Sequence, residues 1–173
     1  MKIKIKKGRH YPWLIPIAFP FRVKRFGYSK GYAYRIAKFK FTDSCMFDLH
    51  DEDQWDVNKL FGFSIGHHQK QSSFRFGWRP ILSENLIEIV AYEYHDGFRM
   101  KTMPICRVEL NKWHDFTVVY NAKKDRSIYF VNEIEFYNNV KLAKKYGLGY
   151  TLGIYFGGNE KAPQDITIYK KRN

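Results

Sequence analysis

The sequence predicts an all-β fold, a sandwich or barrel of short antiparallel strands, and three observations carry that prediction. Around a dozen short segments alternate apolar and polar residues with a period of two. Turn residues separate these segments at fairly even spacing. Aromatic residues make up 18% of the chain, from 15 Phe, 13 Tyr and 4 Trp, a bias toward strands over helices. The 173 residues fit one domain. With 45% hydrophobic and 27% charged residues and no long apolar run, neither a disordered chain nor membrane insertion is expected.

Each element has its own reason. Lys2-Ile3-Lys4-Ile5-Lys6 alternates strictly, as does a half-buried strand whose lysines face water or a partner. Tyr11–Pro20 is a proline-punctuated connector, and Phe21–Phe26 and Tyr32–Thr42 read as strands. In the latter, Ala33, Ala37, Phe39 and Phe41 share one face, opposite Ile36, Lys38 and Lys40. Asp43–Asn58 is a long acidic loop. Strands are expected at Leu60–Ile65, Ser72–Trp78, Leu86–Tyr94, Phe98–Met103, Cys106–Leu110 and Phe116–Tyr120. Four more follow at Ser127–Val131, Ile134–Phe136, Tyr150–Phe156 and Ile166–Tyr169. Asp96-Gly97, Asn121–Asp125 and Gly157-Gly158-Asn159 supply turns. Only Val140–Tyr146 reads as a short helix, ended by Gly147. The organisation is a basic N-terminal strand and arm over residues 1–20 and one sandwich over 21–173.

Charge is unevenly spread. Of 30 Lys and Arg, 12 lie in residues 1–40, which hold no acid; the other 133 residues carry 18 basic and 17 acidic groups. Such a basic quarter points to an acidic partner surface or a polyanion. Its candidate contacts are Lys2, Lys4, Lys6, Arg22, Lys24 and Arg25. Interleaved Lys, Arg, Tyr, Phe and Trp suit single-stranded nucleic acid, but no nucleic-acid-binding fingerprint accompanies them, so nucleic acid is not the favoured partner. Cys45 and Cys106 allow one disulfide at most and match no metal or redox spacing. Met1–His10 followed by apolar Tyr11–Phe21 has the outline of a signal peptide. Pro12, Pro16 and Pro20 break it and no small-residue cleavage site follows, so no cleavable signal is expected. The expected location is the cytoplasm or an assembled particle.

The run Trp113-His114-Asp115-Phe116-Thr117-Val118-Val119-Tyr120, followed by Ile128-Tyr129-Phe130-Val131-Asn132-Glu133, resembles laminin-G and concanavalin A-like domains. Glu133 stands where those domains most often have glycine. Leu152–Asn159 is similar to their penultimate strand and Gly-rich turn, and Ala162–Tyr169 to their closing strand. The resemblance covers residues 60–170. It implies an antiparallel two-sheet jelly-roll β-sandwich with one concave sheet and, more loosely, a gut-bacterial or phage setting. It implies no single activity, since the fold hosts lectins, glucanases, lyases and adhesion modules.

Glucanases of this superfamily align carboxylates on one strand, but Glu88 and Glu93 have odd spacing and face opposite sides. A polysaccharide lyase of the alginate-lyase type would need Tyr, His, Arg and Asn or Gln together; the residues available are His67, His68, Arg75, Tyr155 and Asn159. Two of its motifs are degraded: Gln-Ile-His reads Ile65-Gly66-His67, and the Lys after Tyr-Phe is Gly157. Arg75, Trp78, Arg79, Tyr92, Tyr94 and Arg99 are candidate glycan-binding residues, since sugars stack on rings and hydrogen-bond arginine. Asp51, Asp53 and Asp56, in an acidic loop without a ligand pattern, are the only calcium candidates; no cofactor is expected. The expectation is therefore a non-catalytic module that recognises carbohydrate or another surface. It would work as a subunit of a homo- or hetero-oligomeric assembly such as a virion or tail, with Lys2–Lys6 pairing to a neighbour.

Overall fold

The structure is a computed structural model that describes residues 1–12, 32–66, 70–143, 145 and 149–171. The strand expected at Phe21–Phe26 lies outside them, as do Arg22, Lys24, Arg25, His67 and His68. The described residues form twelve strands: β1 Lys2–Ile5, β2 Tyr32–Phe41, β3 Asn58–Ile65, β4 Ser72–Ile81, β5 Leu86–His95, β6 Phe98–Arg99, β7 Met103–Glu109, β8 His114–Asn121, β9 Arg126–Val131, β10 Ile134–Asn139, β11 Thr151–Leu152 and β12 Ile166–Lys171. Every pairing is antiparallel. Sheet A runs β1-β12-β2-β8-β9-β10; sheet B runs β11-β3-β4-β5-β6, with β7 also paired to β5. This is a jelly-roll β-sandwich.

Alternation decides what the two sheets enclose. Phe39 and Phe41 of β2, Phe61 and Phe63 of β3, Phe74, Phe76 and Trp78 of β4, Phe116 and Tyr120 of β8 and Tyr129 of β9 are all buried between the sheets. Phe76 meets the Phe116 ring edge-on at 5.2 Å and the Tyr129 ring at 5.0 Å. Phe74 stacks on Tyr120 at 4.9 Å. Burying each such ring contributes about 1.5–3 kcal/mol, with a further ~1 kcal/mol where ring pairs meet well.

Two expectations are corrected. Val140–Ala143 is not helical: Val140 and Leu142 are buried while Lys141 and Ala143 are exposed, the alternation of extended chain continuing from β10. The strand expected over Tyr150–Phe156 is only Thr151–Leu152 plus a single bridge from Tyr155 to Lys59. β1, the strand expected to reach a neighbour, pairs on one side with β12, Lys2 opposite Tyr169 and Ile5 opposite Ile166, and stands at the end of sheet A. Ile5 is in the core, so burial favours that pairing, and Lys4 and Lys6 both reach Asp165. The hairpin at Asn132-Glu133 needs no glycine, because Asn132 takes the positive φ of 53°.

Candidate active site

The outer face of sheet B gathers unusual charge. β4 alternates, so Phe74, Phe76 and Trp78 point into the core while Ser73, Arg75 and Arg79 point out. On β5, Ile87, Ile89 and Ala91 point in, and Glu88, Val90, Tyr92 and Tyr94 point out. β3 would turn Lys59 inward along with Phe61, but a bulge between them shifts the register and sends Lys59 to the outer face. There it lies one strand from Arg75, whose Cα partners are Gly62 on β3 and Tyr92 on β5.

Both cations are covered. Arg75 is 7% exposed and Lys59 9%. Lys59 Nζ donates to the Gly157 carbonyl at 2.7 Å and lies 5.0 Å from the Tyr92 ring and 5.4 Å from the Tyr155 ring. Burial, reinforced by the Arg75 charge, lowers its pKa to about 8, with Asp56 pulling the other way. Arg75 donates to the Gly153 carbonyl at 2.7 Å, and its Nε is buried with no hydrogen-bond partner among the described residues. Burial brings its pKa down to about 10, so it stays charged at neutral pH.

The covering chain explains why the Tyr150–Phe156 strand breaks. The Gly153 carbonyl is taken by Arg75 rather than by a ladder partner. Gly157 is held at both ends, its N–H by Asn58 Oδ1 at 2.6 Å and its carbonyl by Lys59. It adopts φ 69°, and a Cβ there would lie 2.3 Å from the Glu160 carbonyl oxygen, so glycine is required. Position 157 thus lacks the lysine of the lyase pattern, while Lys59 brings an ammonium to the same carbonyl from β3.

Aromatic rings complete the site. Tyr155 stacks on His10 at 5.1 Å and receives the edge of Tyr11 at 4.9 Å. Burial, then Tyr11, raises its pKa. Tyr92 lies 6.0 Å from Tyr94, with the Arg99 guanidinium 5.4 Å from its ring; burial first, then Tyr94, pushes its pKa up to about 12. Ser73 stands opposite Tyr94, and its Oγ is buried without a hydrogen-bond partner among the described residues.

The structure therefore brings together Arg75, Tyr92, Tyr94, Arg99 and Tyr155 of the sequence-derived candidates. Arg79 sits further along β4, engaged with Glu88 Oε2 at 2.6 Å and the Trp55 ring. Asn159 is exposed in the bend after Gly158. Trp78 is corrected from ligand platform to core: it is fully buried against Phe41 and Phe47, as the inward phase of β4 dictates. Among the described residues no three His, Cys, Asp or Glu side chains converge on a metal site, and Asp51 instead caps the short turn that follows it, accepting from the Asp53 N–H at 2.9 Å. Cys45 and Cys106 are both free thiols.

Sequence reasoning missed Lys59, Ser73, His10 and Tyr11. The signal for Ser73 was available, two residues before Arg75 on the same face. Lys59 was hidden by the bulge, and His10 and Tyr11 by the long-range return of the N-terminal segment, where the Phe156 N–H donates to the His10 carbonyl at 2.8 Å.

No protein-family model matches the sequence, and no curated protein matches it. Among solved structures, it is similar to alginate lyase vAL-1 from a Chlorella virus, with TM-score 0.65 and 12% identity over 99% of this chain and 81% of that one. It is also similar to alginate lyase PA1167 from Pseudomonas aeruginosa, with TM-score 0.53 and 9% identity over 86% of this chain and 68% of that one. These likenesses place the chain in the jelly-roll sandwich class. The expectation of a non-catalytic binding or assembly module is corrected, because both neighbours are enzymes and point instead to the lyase alternative. Arg75 and Arg99 reach the outer face from β4 and β6, strands that carry neither of the two degraded motifs.

Proposed function

We propose that this chain is an anionic-polysaccharide lyase cleaving a uronate polymer by β-elimination on the outer face of sheet B. The observation that carries the reading is a buried lysine with lowered pKa beside a buried arginine, between tyrosine rings. Elimination needs three things: neutralisation of the uronate carboxylate, a base for the C5 proton and an acid for the departing O4. Arg75 carries permanent positive charge and an unused Nε donor, which suits a carboxylate. Lys59, about half neutral near pH 8, is the base. Tyr155, the more open of the flanking phenols, is kept protonated by its raised pKa and donates to O4. The C5–H and C4–O4 bonds break, the C4=C5 double bond forms, and no water is consumed. The alginate-lyase neighbours support the same reading.

The test mixes the purified chain with polymannuronate, polyguluronate, polyglucuronate and pectate and follows the ultraviolet absorbance of the unsaturated product. Absorbance should grow with at least one polymer, faster as pH climbs through about 8, where Lys59 loses its proton. No absorbance from any of the four across that range refutes the proposal.

A further inference from the structure

The opposite side of the sandwich carries a second cluster of charge that the lyase chemistry does not use. On the outer face of sheet A, β1, β12 and β2 align Lys2, Tyr169 and Lys40 as direct cross-strand neighbours. Trp113, just before β8, extends this row: Lys40 Nζ lies 4.9 Å from the Tyr169 ring and 5.6 Å from the Trp113 ring. Lys171, opposite Lys38, reaches the Trp113 ring at 4.4 Å. With strands about 4.8 Å apart, cation, ring, cation and ring follow one another over roughly 14 Å.

The charge here is left unbalanced. Lys38 is paired with Asp115, and Lys4 and Lys6 share Asp165. Lys2, Lys40 and Lys171 have no carboxylate partner among the described residues, and the sequence has no acid before Asp43. Rings rather than carboxylates hold Lys40 and Lys171, so their rotamers are restricted while their charge is not neutralised. Positive charge fixed in advance costs less entropy when it meets an anion.

We propose that this face is an accessory binding site for a uronate polymer, separate from the outer face of sheet B. The choice of a carboxylated polysaccharide rests on the lyase reading, and on the rings as well. Single-stranded nucleic acid needs rings open to bases, and here Tyr169 and Trp113 are engaged by the chain's own lysines. Carboxylates need only the fixed ammonium groups. A polymer held on sheet A keeps its other segments at high local concentration near sheet B.

The experiment is affinity electrophoresis through gels containing sodium alginate, with K59M as the parent so that the polymer stays intact, and with K2E/K40E/K171E and the milder K40Q/K171Q added to it. Thermal unfolding confirms that each variant is folded. The parent should be retarded, and charge reversal should weaken retardation about tenfold at low salt and flatten its salt dependence. K40Q/K171Q should show the same effect in smaller measure. Retardation unchanged by either variant, or no retardation of the parent, overturns the proposal. So does single-stranded DNA of equal charge competing as well as alginate. Product formation by the unmutated chain is read separately. If it fails with every polymer, the lyase reading falls; if it succeeds while retardation ignores the lysines, only the accessory site falls.

Discussion

Replacing Lys59 by methionine should make the protein more stable and inactive at once. Methionine keeps the length and apolar stem of lysine without the ammonium. Burial moves the lysine pKa from 10.5 to about 8, a gap worth roughly 3 kcal/mol at ~1.4 kcal/mol per unit. The substitution removes that cost at neutral pH, but leaves the Gly157 carbonyl without its donor, a loss of about 1–2 kcal/mol. A net stabilisation of about 1–2 kcal/mol at pH 7 is expected. The pH dependence provides the stricter test. Below pH 8 both folded and unfolded lysine are protonated and the cost is present in full. Between pH 8 and 10.5 the unfolded chain holds a proton the folded chain has released, so the unmutated protein gains stability as pH rises. K59M lacks this gain, and its advantage should shrink toward pH 10. Urea unfolding followed by tryptophan fluorescence at pH 7 and pH 10 measures both points. An advantage equal at the two pH values, or K59M less stable at pH 7, refutes the assignment of a strained buried amine.

Arg75→Lys keeps the charge but loses the planar fork that reaches the Gly153 carbonyl, and product formation should drop by about 10²-fold or more while the fold persists; undiminished turnover would exclude Arg75 from the reaction. Glu93→Gln tests a buried network away from the outer face of sheet B: its carboxylate accepts from Ser127, Tyr129, His95 and Asn138 in the interior. An amide cannot accept at both ends, so unfolding free energy should fall by about 2–3 kcal/mol with KM unchanged. Asp165 has its pKa held well below the ordinary 3.8 by Lys4 first, then by the Lys7 N–H. Its contribution is present above pH 3.8 and lost as pH falls, so Asp165→Asn should be less stable near neutrality and converge on the unmutated protein in acid. Acid-unfolding curves that stay parallel would argue against that pairing.

The fold was legible because core and strand carry the same signal. Phe74, Phe76 and Trp78 alternate with Ser73, Arg75 and Arg79, and this pattern fixes both the strand and its inward face. Where the alternation is strict, as in β2 and β8, expected and observed boundaries agree to within two residues at each end. It failed at Val140–Ala143, where two buried residues two apart fit extended chain better than a helix turn. It failed also after Leu152, where Gly153 gives its carbonyl to a side chain. The site was only half legible. Tyr92 and Tyr94 stand two apart on β5, so their shared face follows from spacing, whereas Arg75 joins them only through the register that pairs it with Tyr92. Lys59 does not follow from spacing, because one extra residue in β3 reverses its direction, and a bulge leaves no mark in hydrophobic periodicity.

The two outer faces show why charge patterning alone does not reveal chemistry. Lys38 and Lys40 on β2 and Arg75 and Arg79 on β4 have the same sequence signature, a cation alternating with buried aromatic or small residues. On sheet A, Lys40 is half-buried between the Tyr169 and Trp113 rings and has no carboxylate partner among the described residues. On sheet B the segment through Gly153, Tyr155 and Gly157 accepts hydrogen bonds from Arg75 and Lys59. His10 and Tyr11 pack against Tyr155 in turn. That cover removes water, lowers the lysine pKa toward the range where a base is useful, and leaves Arg75 Nε without a partner among the described residues. Cover supplied by distant parts of the chain, rather than local composition, distinguishes the two faces: it buries Arg75 and Lys59 on sheet B and leaves Lys40 half-buried on sheet A.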